Sequence, residues 1–162
     1  KDKALVFANH VKLLDTFCKV FREEFGIDSF KIDGSIEPID RQSIIDRFSE
    51  VDGSSLLFLN PITAGMGLNI TSANHVIHYS RQWNPALEEQ ATARAYRNGQ
   101  KNQVNVYYLY YANTIEEIVH ERILWKSFVS GNVVRPTENF KSEDEMIMKL
   151  MLERPHNRYD NA

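Results

Sequence analysis

Leu56-Leu57-Phe58-Leu59 is an uninterrupted apolar run of strand length. A strand with one wet face alternates apolar and polar side chains, whereas a run without alternation marks a strand covered on both faces, as in a parallel sheet. Asp52-Gly53-Ser54 turns the chain into this run, and His75-Val76-Ile77-His78-Tyr79 is the next strand after it. Upstream, Ala4-Leu5-Val6-Phe7-Ala8 reads as another short strand. Leu14, Phe17, Cys18, Phe21 and Phe25 then recur at helical spacing, which predicts an amphipathic helix with Gly26 as its C-terminal cap. Ser29 to Ile32 predicts a strand and Asp33-Gly34-Ser35 a turn. Pro38 suits the first turn of a helix whose apolar stripe is Ile44, Ile45 and Phe48.

Downstream, Asn84-Pro85 opens a helix with Asn as N-cap and Pro at the first helical position. Glu88 and Glu89 fall near the positive end of its dipole, and Gly99 lies beyond its expected last turn. Val104 to Tyr111 is a β-branched and aromatic strand, and Thr114-Ile115-Glu116-Glu117 has the form of a capping box before a helix carrying Ile115, Ile118, Val119, Arg122 and Ile123. Strand and helix alternate throughout, so the expected fold is α/β, a mainly parallel sheet with helices on both faces. After Gly131 the pattern stops. Residues 1–130 are expected to form one lobe, and residues 131–162 a helical extension and polar tail. The extension holds one short candidate helix, Glu143 to Glu153, with Met146, Ile147, Leu150 and Met151 on one side.

The 162 residues are 43% hydrophobic and 25% charged, enough for one packed core. With 19 basic and 22 acidic residues the formal charge is −3, which excludes a protein that grips nucleic acid by a wholesale basic surface. A local patch remains available. The single cysteine, Cys18, excludes disulfides and cysteine-based zinc sites, and the five scattered histidines lack ligand spacing, so no metal site is expected. No apolar run approaches the ~20 residues that cross a bilayer, and the first apolar stretch is too short for a signal peptide. An intracellular protein without a membrane partner is the expectation. The chain starts without Met and enters a core strand at once, so it reads as a segment of a longer polypeptide.

Gln90, Arg94 and Arg97 stand at i, i+4 and i+7, which on a helix places an amide and two guanidiniums on one stripe. Such a stripe is either a solvated face or a fork of donors for an anion. Its position after a strand and a Trp-Asn-Pro turn, near the sheet edge where α/β proteins bind ligands, suits a triphosphate. The turn Thr63-Ala64-Gly65-Met66-Gly67-Leu68-Asn69 follows a strand and lets bare backbone amides approach a phosphate, or merely changes direction. No Gly-x-x-x-x-Gly-Lys-Ser/Thr string occurs, and no Asp-Glu pair follows a strand where it could hold magnesium.

Taken in order, Thr63-Ala64-Gly65-Met66-Gly67-Leu68-Asn69-Ile70-Thr71, Trp83-Asn84-Pro85, Gln90-Ala91-Thr92-Ala93-Arg94-Ala95-Tyr96-Arg97-Asn98-Gly99-Gln100 and Thr114-Ile115-Glu116-Glu117 closely resemble the C-terminal RecA-like lobe of the Swi/Snf-type branch of superfamily-two helicases. The resemblance covers about residues 3 to 127. It implies a lobe of an ATP-driven translocase on double-stranded DNA, with ATP and Mg held mainly by a first RecA-like lobe of the same polypeptide. Arg94 and Arg97 are similar to the family arginines that reach the γ-phosphate, with Gln90 in support. Gly65, Gly67 and Asn69 resemble the motif that couples the nucleotide cleft to the nucleic-acid track. Asn9, His10, Gly34, Ser35, Arg41, Thr63 and Trp83 resemble family positions along that track, although Trp83 also reads as a ring packed under the next helix. The implied compartment is the cytoplasm or nucleoid in a bacterium and the nucleus in a eukaryote.

Three positions depart from the family pattern. Tyr96 replaces the usual His, Asn98 an apolar residue, and Asn60-Pro61 the usual Ser-Thr. The first two leave both arginines in place. The third removes a hydroxyl and a backbone amide that could meet phosphate. The rival expectation is a catalytically inert RecA-like lobe acting as a protein-interaction module.

Overall fold

Five strands, β1 (Lys3–Phe7), β2 (Asp28–Ile32), β3 (Ser55–Leu59), β4 (His75–His78) and β5 (Asn105–Tyr108), form one sheet in the order β2-β3-β1-β4-β5, with every neighbouring pair parallel. The computed structural model describes residues 2–64, 67–100 and 102–131. The expected helix over Glu143 to Glu153 lies outside the described residues. Between the strands run α1 (Val11–Glu23), α2 (Pro38–Glu50), the single-turn α3 (Pro61–Ala64) and α4 (Pro85–Thr92), and α5 (Ile115–Gly131) follows the sheet. This is the α/β, RecA-like arrangement that the alternation and the resemblance predict.

The two faces of the sheet are covered separately. Leu14 of α1 packs with Val6, Ala8 and Phe58, joined by Phe17, Cys18 and Phe21. Ile45 and Phe48 of α2, with Ala91 of α4, pack on Leu5, Phe7, Leu57, Leu59 and Val76. Side chains alternate across a strand, so β1 and β3 feed both clusters, which is why the run from Leu56 to Leu59 shows no polar gap. Cys18 is half-buried, its thiol donates to the Phe30 carbonyl at 3.4 Å, and burial pushes it up to about 11.

Local chemistry sets the element ends. Gly26, at φ 63°, lets the chain leave α1, and the Ile27 amide returns to the Phe21 carbonyl at 3.0 Å. Pro38 is in the first turn of α2 as expected, and the Asn84 side chain accepts the Ala86 amide at 3.1 Å to cap α4. β5 is shorter than the run Val104 to Tyr111 because β4 offers only four partners. One further bond, from the Leu109 amide to the His78 carbonyl, ends the pairing.

The chain divides into two compact units, the first ending at Tyr110 and the second beginning at Tyr111. The second opens with the capped start of α5. Thr114 Oγ1 accepts the Glu116 amide, while Glu117 and Glu116 accept the Asn113 and Tyr111 amides at 2.8 and 2.9 Å. These carboxylates satisfy amides just outside the helix, a wider version of the expected capping box. Among the described residues no helix is long and apolar enough to cross a membrane.

Lys3 is the charged member of β1. It is buried, and its ammonium donates to the Phe48 and Ser49 carbonyls at 2.9 and 2.5 Å, at the last turn of α2 where the dipole favours a cation. Lys3→Met keeps the apolar stem and deletes the ammonium, leaving those carbonyls short of a donor. The expected result in urea denaturation is a loss of about 1–2 kcal/mol with an unchanged m-value.

Candidate functional site

Parallel strands all end at one edge, and the loops that leave this edge carry most of the residues expected on the nucleic-acid track. Asn9 and His10 follow β1, Gly34 and Ser35 follow β2, Thr63 is in α3 after β3, and Trp83 follows β4. Asn9, His10, Gly34 and Ser35 are exposed. The loop after β2 is pre-shaped by Asp33, whose Oδ1 accepts both the amide and the hydroxyl of Ser35, at 2.8 and 2.5 Å, while Oδ2 pairs with Lys31 at 2.8 Å. Burial alone would push the Asp33 carboxyl up, but the bonds from Lys31 and Ser35 hold it down at about 2.

Trp83 is 54% exposed, so its ring is not packed under the following helix. Two of the expected track residues are buried. Arg41 is only 5% exposed and its Nε donates to the Ile36 carbonyl at 2.9 Å, so it braces the Gly34–Ser35 loop from inside rather than standing free at the surface. Thr63, at 3% exposure, is likewise part of the packed interior.

The second expected region, around Gln90, Arg94 and Arg97, is built differently from the continuous stripe that the spacing predicts. α4 ends at Thr92, seven residues before Gly99. The cause is competition for carbonyls. The Arg94 carbonyl accepts the Ile70 amide at 3.0 Å, and Gln100 Nε2 donates to the Ala95 and Ala73 carbonyls, so the chain beyond Thr92 bonds across to residues 70–73 instead of continuing its ladder. The turn tightens, with the Arg94 amide on the Ala91 carbonyl. Gly99, at φ 107°, completes it.

Tertiary bonding therefore brings Arg94 to the glycine-containing segment. Arg94 is half-buried, its Nε donates to the Gln90 carbonyl at 3.1 Å and its Nη1 reaches the Leu68 carbonyl at 3.4 Å. Gln90, Arg97 and Asn69 are exposed, and Gly67 has φ 84°. Gly65 lies outside the described residues. The expectation that the stripe sits near the edge where the strands end is also corrected. Only the start of α4 is there, and eight helical residues at 1.5 Å each carry the chain roughly 12 Å before Arg94 is reached.

Sequence reasoning missed the group that fastens α4. Glu88 is 3% exposed and accepts Arg81 Nε and Nη2 at 3.0 Å each and the Gln82 amide at 2.8 Å. Burial pushes the Glu88 carboxyl up, and the Gln82 amide and Arg81 pull it back. The Arg81 guanidinium lies over the Tyr108 ring, 4.4 Å from its centroid. Beside it, His78 Nε2 and Thr92 Oγ1 are 2.9 Å apart, and the imidazole stacks between Phe7 and Tyr108. Burial, then the nearby Arg81 charge, lowers His78 to about 4, so the ring is neutral at pH 7. The signal available in the sequence was that Glu88 shares the i, i+3, i+7 stripe with Ala91 and Ala95, both buried. Among the described residues no group of three or more His, Cys, Asp or Glu stands together as metal ligands.

Residues 1–99 match the family described as helicase conserved C-terminal domain. The human protein DNA excision repair protein ERCC-6 is 36% identical over 88% of this chain and 10% of its own length. SNF2 domain-containing protein CLASSY 1 of Arabidopsis thaliana is 33% identical over 94% of this chain and 13% of its own. The chain thus spans a small part of the curated relatives it matches. A solved structure, the C-terminal part of the Fun30 ATPase domain, superposes with a TM-score of 0.75 at 28% identity, over 93% of this chain and 48% of that one. The parallel five-stranded lobe, the Trp-Asn-Pro-capped α4 and the match over residues 1–99 agree, and the chain belongs to the helicase conserved C-terminal domain family, in its Swi/Snf-type branch.

Proposed function

We propose that this chain is the second motor lobe of an ATP-dependent translocase on double-stranded DNA, and that it completes an ATPase site whose nucleotide is held mainly by a first RecA-like lobe. The observation that carries this reading is the path of α4. It starts among the edge loops that present Asn9, His10, Gly34, Ser35 and Trp83, and it leads to Arg94, bonded to Leu68 and Ile70, with Arg97 exposed three residues on. One rod thus joins a surface suited to a phosphate backbone with a cluster suited to a nucleotide. Residues 1–130 are assigned to the lobe and 131–162 to an extension. Work on DNA would place the motor in the cytoplasm or nucleoid of a bacterium or the nucleus of a eukaryote.

The donor set fits the terminal phosphates of ATP. It comprises two guanidiniums, the Gln90 amide and backbone amides around Gly67, all able to meet anionic oxygens. When bound, ATP with Mg supplies the phosphoryl group to be cleaved. Arg94 and Arg97 lend positive charge to the oxygens of that group, and Gln90 orients them. Guanidiniums used this way are worth ~10³ to 10⁵ in rate, or roughly 4 to 7 kcal/mol. Arg94 is already steered by the Gln90 and Leu68 carbonyls, so its placement costs little when the lobes close. At the other surface, backbone amides and hydroxyls of the edge loops bond phosphates without sequence preference, which agrees with a net charge of −3.

In the polypeptide that carries both lobes, Arg94→Ala and Arg97→Ala should each lower DNA-stimulated ATP turnover by at least about a hundredfold while ATP affinity changes far less. Lys at either position should not restore the rate, because a point ammonium cannot reproduce the planar fork. Folded variants with near-normal turnover would make the arginines a solvated surface and remove the mechanism assigned to them. The chain by itself should show no ATP turnover above background. Its affinity for duplex DNA, followed by fluorescence anisotropy across a salt series, should be weak and fall steeply with added salt.

A further inference from the structure

The edge loops are not held one by one. Asn60, which follows β3, donates its Nδ2 to the Asn9 carbonyl at 2.9 Å, and its Oδ1 accepts the Ile62 amide at 3.0 Å, fixing the start of α3. Asn9, which follows β1, accepts Gln82 Nε2 on its own Oδ1. Gln82, which follows β4, gives its amide to Glu88 of α4. A continuous series of polar contacts, Asn60 to Asn9 to Gln82 to Glu88, therefore joins three loops and ends in a helix.

The two ends of the series differ in kind. Glu88 is clamped by both Arg81 nitrogens and the Gln82 amide in a buried setting, so α4 and the segment 81–82 move together. The Asn60, Asn9 and Gln82 side chains lie at or near the surface, where a neutral hydrogen bond contributes little net stability. What such bonds set is geometry. Asn9 has its carbonyl taken from one side and its amide oxygen from the other, so the β1 loop cannot shift without drawing on both neighbours.

We propose that this clasp is a positioning device, in which Gln82 and Asn60 fix the spacing of the β1, β3 and β4 loops and transmit their displacement through Glu88 to α4, the helix that leads to Arg94 and Arg97. The proposal rests on the translocase reading and adds two positioning residues, neither of which need touch DNA or ATP. It also gives a purpose to Asn60, the departure from the family pattern. The amide side chain replaces a lost hydroxyl by a tie between two loops and caps α3 ahead of Pro61, which has no amide hydrogen to give.

The test uses the polypeptide with both lobes, carrying Gln82→Met, Asn60→Ala or both, with Gln82→Met chosen because it keeps length and loses the donor. Four quantities are read: melting temperature, basal ATP turnover, maximal turnover with duplex DNA, and the DNA concentration for half-maximal stimulation. The expected outcome is an unchanged melting temperature and basal turnover for Gln82→Met, with half-maximal stimulation needing about fivefold more DNA, the worth of one hydrogen bond. The double variant should be no worse than the more impaired single one, because both residues act through Asn9. Unchanged DNA dependence in Gln82→Met, or effects that multiply in the double variant as independent DNA contacts would, overturns the clasp while leaving the motor reading in place. A parent protein without DNA-stimulated turnover removes the motor reading, and the clasp with it.

Discussion

β1 is buried along its whole length and bonded in parallel to β3 on one side and β4 on the other. A parallel neighbour cannot be reached by a tight hairpin, so the chain must cross back over a sheet face after each strand. Every strand then leaves at one edge and every return ends at the opposite one. The grouping of Asn9, Gly34, Ser35 and Trp83 follows from this constraint alone, although they are spread over more than seventy residues of sequence. The sheet thus gathers short loops, with Asn9, Gly34, Ser35 and Trp83 exposed, along a single edge.

α4 shows how tertiary bonds override helix propensity. The residues after Thr92 include two alanines and two arginines, all good helix formers, yet the helix stops. Continuing would leave the Ile70 amide and the Gln100 side chain without the carbonyls of Arg94 and Ala95. Buried donors are expensive to leave unpaired, and two such bonds outweigh the small gain from another helical turn. The result places Arg94 in bonded contact with Leu68 and Ile70, so the glycine-containing turn and the arginine segment read separately in the sequence form one bonded unit.

What was legible in the sequence was whatever burial writes into the apolar pattern. The strands from Ala4, Ser29, Leu56 and His75 were each found to within a residue or two, because a strand covered on both faces leaves a short, nearly unbroken apolar run, and the helices show as apolar stripes at helical spacing. The Asn84-Pro85 start of α4 was legible because a cap is local chemistry. Arg41, Glu88 and Arg81 were not, since a buried ion or a guanidinium aimed at a carbonyl depends on partners that no spacing rule announces. Thr63 was expected on the track from the family pattern, whereas in the structure it is 3% exposed, and α3, which carries it, packs against α4. The family pattern supplied the expected roles of Arg94 and Arg97, and only the bonding across to residues 68–70 shows how Arg94 is held.

Cys18 donates its thiol hydrogen to a strand carbonyl beneath α1 and has its ionisation pushed up to about 11. At neutral pH about one such thiol in ten thousand is a thiolate, the form that attacks maleimides and iodoacetamides. The sole cysteine of the sequence is thus close to silent toward alkylating dyes. A cysteine introduced on an exposed loop or at the far end of α4 would take a fluorophore ahead of it. The lobe comes with a nearly blank background for optical work, and its native thiol can stay where the core needs it.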